Sequence, residues 1–178
     1  TILSIGGAVT GDVTAGDAAT VVAFDGIGST ITAGTAAVVF STSGIAATIS
    51  ASKSITAISL GSLSGLFGAG TTITAAGFGA TEISADAGES VVLVSASTVK
   101  STVNAGTWAA VISGALSEIT ATTQEDFYYV SMAEWSRVIA TAGNDILLWT
   151  AGGLDATLTA DNDVVVAGLD VVKGHFEA

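Results

Sequence analysis

The chain contains neither cysteine nor proline in its 178 residues. Without cysteine it cannot form a disulfide, a thiolate nucleophile or a thiolate metal site. Proline has no N–H to donate to a β-ladder, so its absence is typical of a backbone that is hydrogen-bonded almost throughout. These absences exclude thiol chemistry and favour a fold made of continuous strand pairing.

Basic residues are also scarce, with four Lys and Arg against 16 Asp and Glu and a net charge of −12. Nucleic acids and anionic membrane surfaces bind clusters of Lys and Arg, so we expect neither as a partner. No apolar run approaches the length of a membrane-spanning helix, and we expect no membrane insertion. An acidic, thiol-free composition rich in Thr, Ser and Gly favours an extracellular or cell-surface location.

An Ala-Gly pair recurs every 18 residues through the first two thirds of the chain. The pairs are Ala15-Gly16, Ala33-Gly34, Ala69-Gly70, Ala87-Gly88 and Ala105-Gly106, with Ala51-Ser52 at the remaining position. A fixed period of this length is typical of stacked repeats. The abundance of Val, Ile, Thr, Ala and Gly favours short strands and tight corners over helices. We predict an all-β, parallel β-solenoid (β-helix or β-roll) of about ten 18-residue coils, forming one domain over residues 1–178.

Three columns of mainly apolar residues follow this period, and we predict that they line the interior. One starts Leu3, Val21, Val39; one ends Ser117, Trp135, Leu154, Val172; one ends Ala121, Ile139, Leu158, Phe176. Keeping the columns aligned requires one extra residue, which we place near Thr141. The number of faces stays open, because a six-residue spacing between columns favours three faces whereas nine-residue C-terminal units favour two sheets.

Residues 123–141 form an irregular coil that contains both tyrosines, the only methionine and the only arginine. We expect large core residues here, including Tyr129, with Tyr128 pointing outward because neighbours on a strand alternate faces. An exposed aromatic patch in this coil could bind a glycan or a protein. The candidate residues for such contacts are Phe127, Tyr128, Trp135 and Arg137. The alternative is a bulged coil whose aromatic residues serve only the core.

The segment Ala142-Gly-Asn-Asp-Ile-Leu-Leu resembles the Gly-Asn-Asp-x-Leu core of RTX-type nonapeptide calcium repeats. Two such nonapeptides make one turn of the RTX β-roll. The resemblance implies a Ca²⁺ ion held at the turns by Asn144, Asp145, Asp161 and Asp163, with Asn162 beside them. The aspartate column of that family does not continue into the body of this chain. The alternative is that Asp and Asn lie at corners because they tolerate turn conformations.

A Thr-x-Thr pattern also recurs, and it resembles the threonine ladders of ice-binding β-solenoids. Its pairs are Thr30/Thr32, Thr48/Ser50, Thr102/Asn104, Thr120/Thr122 and Thr157/Thr159, interrupted at Leu66/Gly68 and Ser84/Asp86. Threonine and serine are also ordinary solvent-facing residues of strands. The pattern therefore indicates one outward face of the solenoid, and ice binding is the third function that we consider.

Catalytic groups are few. His175 is the only histidine, and although 18-residue solenoid acyltransferases use a catalytic histidine, this one has no insertion loop nearby. The acidic residues are scattered, and no Gly-Lys-Ser/Thr phosphate loop is present. We expect no enzyme and no cofactor other than the Ca²⁺ considered above.

The predicted end coils lack a capping helix, although an open end exposes unpaired backbone groups. We expect either further protein beyond Thr1 or pairing of that end with another subunit, and we expect the chain to be a processed product or a segment. The whole resembles bacterial β-solenoid repeat proteins of surfaces and filaments. We predict an extracellular structural protein that self-assembles into a filament, surface layer or stalk through its ends and flat faces. The alternative is an adhesin or fibre segment that binds glycan or protein.

Overall fold

The computed structural model describes the backbone of residues 1–178 and every side chain except that of Leu3. The chain forms an all-β parallel solenoid of about nine turns, which confirms the predicted fold class. No helix long and apolar enough to cross a membrane occurs in the described part of the chain. The strands are, in chain order, β1 (Ile2–Ser4), β2 (Val13–Ala15), β3 (Ala19–Ala23), β4 (Gly26–Ile27), β5 (Thr30–Ala33), β6 (Ala36–Ser41), β7 (Gly44–Ala51), β8 (Ser54–Ser59), β9 (Ser62–Ala69), β10 (Thr72–Gly77), β11 (Thr81–Ala87), β12 (Ser90–Ser95), β13 (Val99–Ala105), β14 (Trp108–Ser113), β15 (Ser117–Thr123), β16 (Phe127–Ser131), β17 (Trp135–Ala142), β18 (Ile146–Thr150), β19 (Gly153–Ala160), β20 (Val164–Gly168) and β21 (Val172–Glu177).

Each turn contributes one strand to each of two sheets. The first sheet has the order β1-β3-β6-β8-β10-β12-β14-β16-β18-β20, and the second has the order β2-β5-β7-β9-β11-β13-β15-β17-β19-β21, with β4 paired to β7. Two sheets settle the open question of face number. The six-residue spacing arises because Ile45 and Ala51 are both inward-facing residues of the long strand β7.

The step between stacked residues is 18 through the body of the solenoid, with two exceptions. At the N-terminus Ile2, not Leu3, lies opposite Val21, which corrects the predicted start of that column. The side chain of Leu3 lies outside the described part of the structure.

The second exception is the extra residue, which lies in the turn between β16 and β17 and not near Thr141. Ser117 is therefore paired with Ser136, and Ala121 with Ala140. The predicted core positions of Trp135 and Ile139 are wrong, since these side chains are 37% and 42% exposed.

The interior is a narrow layer filled by alternate side chains of both sheets. Val, Ile, Leu and Ala occupy almost all inward positions because facing sheets lie only about 10 Å apart. One inward column differs, since it consists largely of buried hydroxyl residues at the end of the first-sheet strands. Its fully buried members include Ser41, Ser59, Ser95, Ser113, Ser131 and Thr150.

These hydroxyls form hydrogen bonds with backbone groups of the turn that leads into the second sheet. Ser59 Oγ donates to the carbonyl of Ser62 at 2.9 Å and accepts the N–H of Gly61 at 3.2 Å. The buried serine thus replaces backbone partners that the corner lacks.

The periodic glycines mark a close approach between stacked corners. A Cβ built on Gly34, Gly88 or Gly106 would overlap the backbone carbonyl of the residue one coil below. Among glycines of the second sheet, Gly65 has φ +135° and lies against the backbone of Ala47, which makes it unsuitable for any other residue. Close packing, rather than a left-handed turn, therefore explains the recurring Ala-Gly pair.

Candidate functional site

The outward side chains of the first sheet form an uncharged, mainly apolar surface, which we call the apolar face; hydroxyl residues such as Thr56 and Thr74 interrupt it near its middle. None of the strands of this sheet contains a charged residue in the described chain. Its larger members include Val22, Val38, Phe40, Ile58, Val92, Val94, Ile112, Tyr128, Val130, Leu147, Trp149 and Val165. Ile112 is 43% exposed and Leu147 is 46% exposed, so these side chains face solvent and not the core.

The apolar face is large for an unpartnered surface. Nine of its strands have five or six residues, which corresponds to about 40 Å by 16 Å, on the order of 600 Å². The largest apolar patch on a typical monomer covers about 300–600 Å², and larger or rimmed patches mark interaction sites. The corners beside this face add exposed side chains such as Phe78 (62%) and Met132 (61%).

The outward side chains of the second sheet form the opposite surface, which we call the polar face. Its central column begins with Thr30 and Thr48 and later includes Thr102, Thr120 and Thr157. The predicted interruption at Leu66 is present, and Ile139 adds a second one because it pairs with both Thr120 and Thr157. Isolated stretches of hydroxyl residues, rather than an unbroken ladder, cover this face.

A second column of the polar face carries most of the basic residues. Pairing of consecutive strands places Glu82, Lys100, Glu118, Arg137, Asp155 and Lys173 directly over one another. We call this set the charge column. Its signs alternate without exception, and it contains three of the four basic residues of the chain.

The members of the charge column are solvent-exposed. Arg137 and Glu118 approach to 3.8 Å, with 59% and 52% of their side chains exposed. Lys173 Nζ lies 5.9 Å from the centre of the Trp135 ring, a cation–π distance. An open groove of about 470 Å³ lies along the N-terminal part of the column, lined by Glu82, Lys100 and Glu118. Exposed pairs of this kind are weak individually, so the alternation matters mainly for orientation.

The four residues predicted to contact a glycan or protein do not form one patch. Phe127 is fully buried, as is Tyr129. Tyr128 lies on the apolar face, whereas Trp135 and Arg137 lie on the polar face on the other side of the solenoid. Only Trp135 and Arg137 remain close to each other.

The C-terminal Asp and Asn residues stack at the corner that leads into the first sheet. Asp126 Oδ1 accepts the Asn144 amide at 2.8 Å and the N–H of Asp145 at 3.3 Å. One coil further, Asp145 Oδ1 accepts the Asn162 amide at 2.7 Å and the N–H of Asp163 at 3.1 Å. Each carboxylate therefore accepts two hydrogen bonds from the corner of the next coil.

The hydrogen bonds at this corner also shift the pKa values of Asp126 and Tyr128. The pKa of Asp126 is lowered, first by the hydrogen bond from Asn144 and then by that from Tyr128, whose hydroxyl donates to Oδ2 at 2.9 Å. The same bond to Asp126 raises the pKa of Tyr128. Tyr128 is thus held at one edge of the apolar face by a charged partner.

The calcium candidates Asn144, Asp145, Asp161 and Asp163 lie along this corner. Within the described residues, no three acidic or histidine side chains come together as a metal-binding group. Oxygen atoms of Asp126 and Asp145 already accept N–H donors, whereas Ca²⁺ requires six to eight oxygen ligands. This donor set does not fit a calcium cage.

His175 lies on the outermost strand of the polar face, with Nε2 at 3.8 Å from Glu177. Both side chains are largely exposed, and this exposure gives His175 no enclosed cleft in which to act as a base.

No protein-family model, curated protein or solved structure matches this chain.

Proposed function

We propose that this chain is an extracellular structural protein whose rods pack laterally through the apolar face into a filament, surface layer or stalk. The observation that supports this proposal is the uncharged outer surface of the first sheet, which extends over nine stacked strands. Charged residues are placed instead at the corners and on the polar face, where they keep the opposite side of the rod hydrated.

The size of the apolar face supports a second copy as its partner. Two such faces packed together bury on the order of 1,200 Å², which reaches the lower limit of specific protein interfaces. Flat β-surfaces with β-branched side chains interdigitate well at a sheet spacing of about 10 Å. The long, regular shape of the face fits another rod better than a compact globular partner.

Contacts between rod ends are the second part of the proposal. In the last turn, Val172 and Phe176 occupy inward columns but are 37% and 42% exposed. The edge strands β20 and β21 also present backbone groups that can pair with another strand. A further coil stacked on this edge would cover both features.

Lateral packing is tested with charges placed on the apolar face. The double variant Val94→Lys, Ile112→Lys puts two cations at exposed positions of β12 and β14. The matched control Thr30→Lys, Thr48→Lys changes the same number of outward residues on paired strands of the polar face. Sedimentation velocity and negative-stain electron microscopy should show extended assemblies for the wild type and the control, and nothing larger than a dimer for the apolar-face variant. A wild type that stays dispersed at all concentrations would contradict the proposal.

Glycan binding is a second candidate, and Tyr128 supports it. Its ring is 38% exposed and its hydroxyl is fixed by Asp126, so the ring can stack on a sugar without losing orientation. A glycan array with wild type and Tyr128→Ala tests this reading. Equal signals for both proteins would exclude Tyr128 as the contact.

A further inference from the structure

The charge column has a symmetry that its individual pairs do not show. Along the rod it reads negative, positive, negative, positive, negative, positive, from Glu82 to Lys173. Because the number of members is even, reversing the column exchanges every sign. A second copy turned end over end therefore presents an opposite charge at every position.

We infer that the polar face binds the polar face of a second copy of this chain, with the two rod axes antiparallel. A two-fold axis parallel to the strands, between Glu118 and Arg137, brings the two charge columns face to face. Each Glu118 then meets the partner copy's Arg137, each Lys100 meets its Asp155, and each Glu82 meets its Lys173. Two-fold contacts of this self-complementary kind are the commonest in homo-oligomers.

Two simple alternative arrangements of the same two surfaces are penalised. Parallel rods in register place like charges opposite each other along the whole column. An antiparallel slip by one coil, about 4.8 Å, does the same, because it changes the parity of the pairing. Like-charge juxtaposition across an interface costs free energy and suppresses the wrong partner or register. Parallel rods slipped by one coil pair opposite charges at only five positions, and antiparallel rods slipped by two coils at only four. The two-fold antiparallel arrangement is therefore favoured because it pairs all six members of the column.

The neighbouring columns accept this arrangement. The same two-fold axis places Thr120 opposite Ile139 and Thr102 opposite Thr157, which combines small and medium side chains. The unfavourable pair is Asp86 opposite Glu177, at the two ends of the overlap. Long Glu, Lys and Arg side chains fill the space between sheets about 10 Å apart.

The overlap covers the six strands that carry the column, on the order of 600 Å² on each rod. This is at the lower limit for specific interfaces, so we expect a dimer that dissociates on dilution and with added salt. The inference does not depend on the proposed lateral packing, since the apolar face lies on the other side of the rod.

Charge-reversal variants distinguish pairing between two copies from ion pairing within one rod. In Lys100→Glu the new acid meets Asp155 of the partner copy, and in Asp155→Lys the new base meets its Lys100. Each single variant should weaken dimerisation at least about tenfold. In the double variant Lys100→Glu, Asp155→Lys the opposite charges meet again, and dimerisation should recover relative to both single variants.

If the charge column serves only to form ion pairs within one rod, the double variant should give the opposite result. Within one rod the double variant creates three consecutive acids, Glu82 to Glu118, and three consecutive bases, Arg137 to Lys173. It should then be the most perturbed of the three proteins. Failure of the double variant to dimerise better than the single variants, with circular dichroism showing all three folded, would overturn the inference.

The measurements are made in the Val94→Lys, Ile112→Lys background, where association through the apolar face is suppressed. Sedimentation equilibrium then reports the polar-face dimer alone. The result for this dimer is therefore independent of whether the proposed packing through the apolar face is correct. Lys53→Glu is the control, because Lys53 is the one basic residue outside the column. It should leave the dimer constant unchanged.

The absence of native cysteine allows a direct test of direction. Thr102→Cys and Thr157→Cys chains are mixed in that background and treated with a bismaleimide spanning about 10 Å, the expected sheet spacing. The antiparallel register predicts crosslinks between the two different variants. Crosslinks mainly within each variant alone would indicate parallel rods and contradict the proposed geometry.

Discussion

The hydroxyl of Tyr129 donates a 2.8 Å hydrogen bond to Ser136 Oγ inside the core, joining the first sheet to the second. Ser136 in turn donates to Ser131 Oγ at 3.0 Å, and all three side chains are buried. This network lies next to the turn that contains the extra residue. It gives the largest buried side chain of the solenoid a polar partner without opening the core to water.

Removing one end of this network should destabilise the fold. Tyr129→Phe leaves Ser136 Oγ without its donor, and we expect a loss of about 1–2 kcal/mol in the free energy of unfolding. Tyr128→Phe is the matched control on the same strand, because its hydroxyl is bound at the surface, and it should cost at most about 0.5 kcal/mol. Urea unfolding measures both. Equal losses for the two variants would show that the buried network contributes nothing.

The stacked corners predict a sharp difference between two glycines of the same column. Gly106→Ala would drive its Cβ into the carbonyl of Gly88, and we expect a loss of about 1–3 kcal/mol from overpacking. A Cβ at Gly16 meets no atom within 4 Å, so Gly16→Ala should be neutral or slightly stabilising. Thermal unfolding of the two variants provides the comparison. A tolerated Gly106→Ala would contradict the close approach of the corners.

Acid should weaken the corner stacking at Asp126. Its pKa is lower in the folded chain than in the unfolded chain, so its contribution to stability is complete above the unfolded value of about 4. That contribution falls as the pH drops from there through the lowered pKa of the folded state. Unfolding free energies of wild type and Asp126→Asn, measured between pH 2 and pH 7 (roughly the range that brackets these values), should converge in acid. A constant difference across this range would contradict the prediction.

Calcium should not stabilise the chain. The Oδ1 atoms of Asp126 and Asp145 already accept amide N–H groups from the next coil, which leaves too few free carboxylate oxygens at this corner for the six to eight ligands of Ca²⁺. A ligand that binds the native state raises its stability by mass action. Melting curves with added Ca²⁺ and with a chelator should therefore coincide. A higher melting temperature in Ca²⁺ that Asp145→Asn abolishes would contradict this prediction and support the calcium hypothesis.

The 18-residue period was sufficient to predict the solenoid, because stacking requires equivalent residues to recur at a fixed step. The position of the extra residue was mispredicted because hydrophobicity favoured Trp135 and Ile139 over Ser136 and Ala140 for the core. The narrow interior instead accepts small residues and hydrogen-bonded serines, while large apolar residues remain outside. The recurrence of Ser41, Ser59, Ser95, Ser113 and Ser131 was the available signal for that column.

The two faces differ in how readily the sequence reveals them. The apolar face is hidden because strands such as Val91-Val92-Leu93-Val94 are apolar on both sides and give no alternation. The charge column could have been found from spacing alone. Glu82, Lys100 and Glu118 are 18 apart, and Arg137, Asp155 and Lys173 follow with the same step once the extra residue is placed before Trp135.

The alternating signs restrict how this protein can change in length. Excising one coil between Glu82 and Lys173 would put like charges on adjacent strands, such as Glu82 over Glu118, whereas excising two consecutive coils would keep every neighbour opposite. In this half of the molecule, gene duplication or loss should therefore proceed in units of two coils. In the N-terminal coils the same column holds only the uncharged residues Thr10, Gly28, Ala46 and Ser64, so the rule does not apply there and coils can be gained or lost singly.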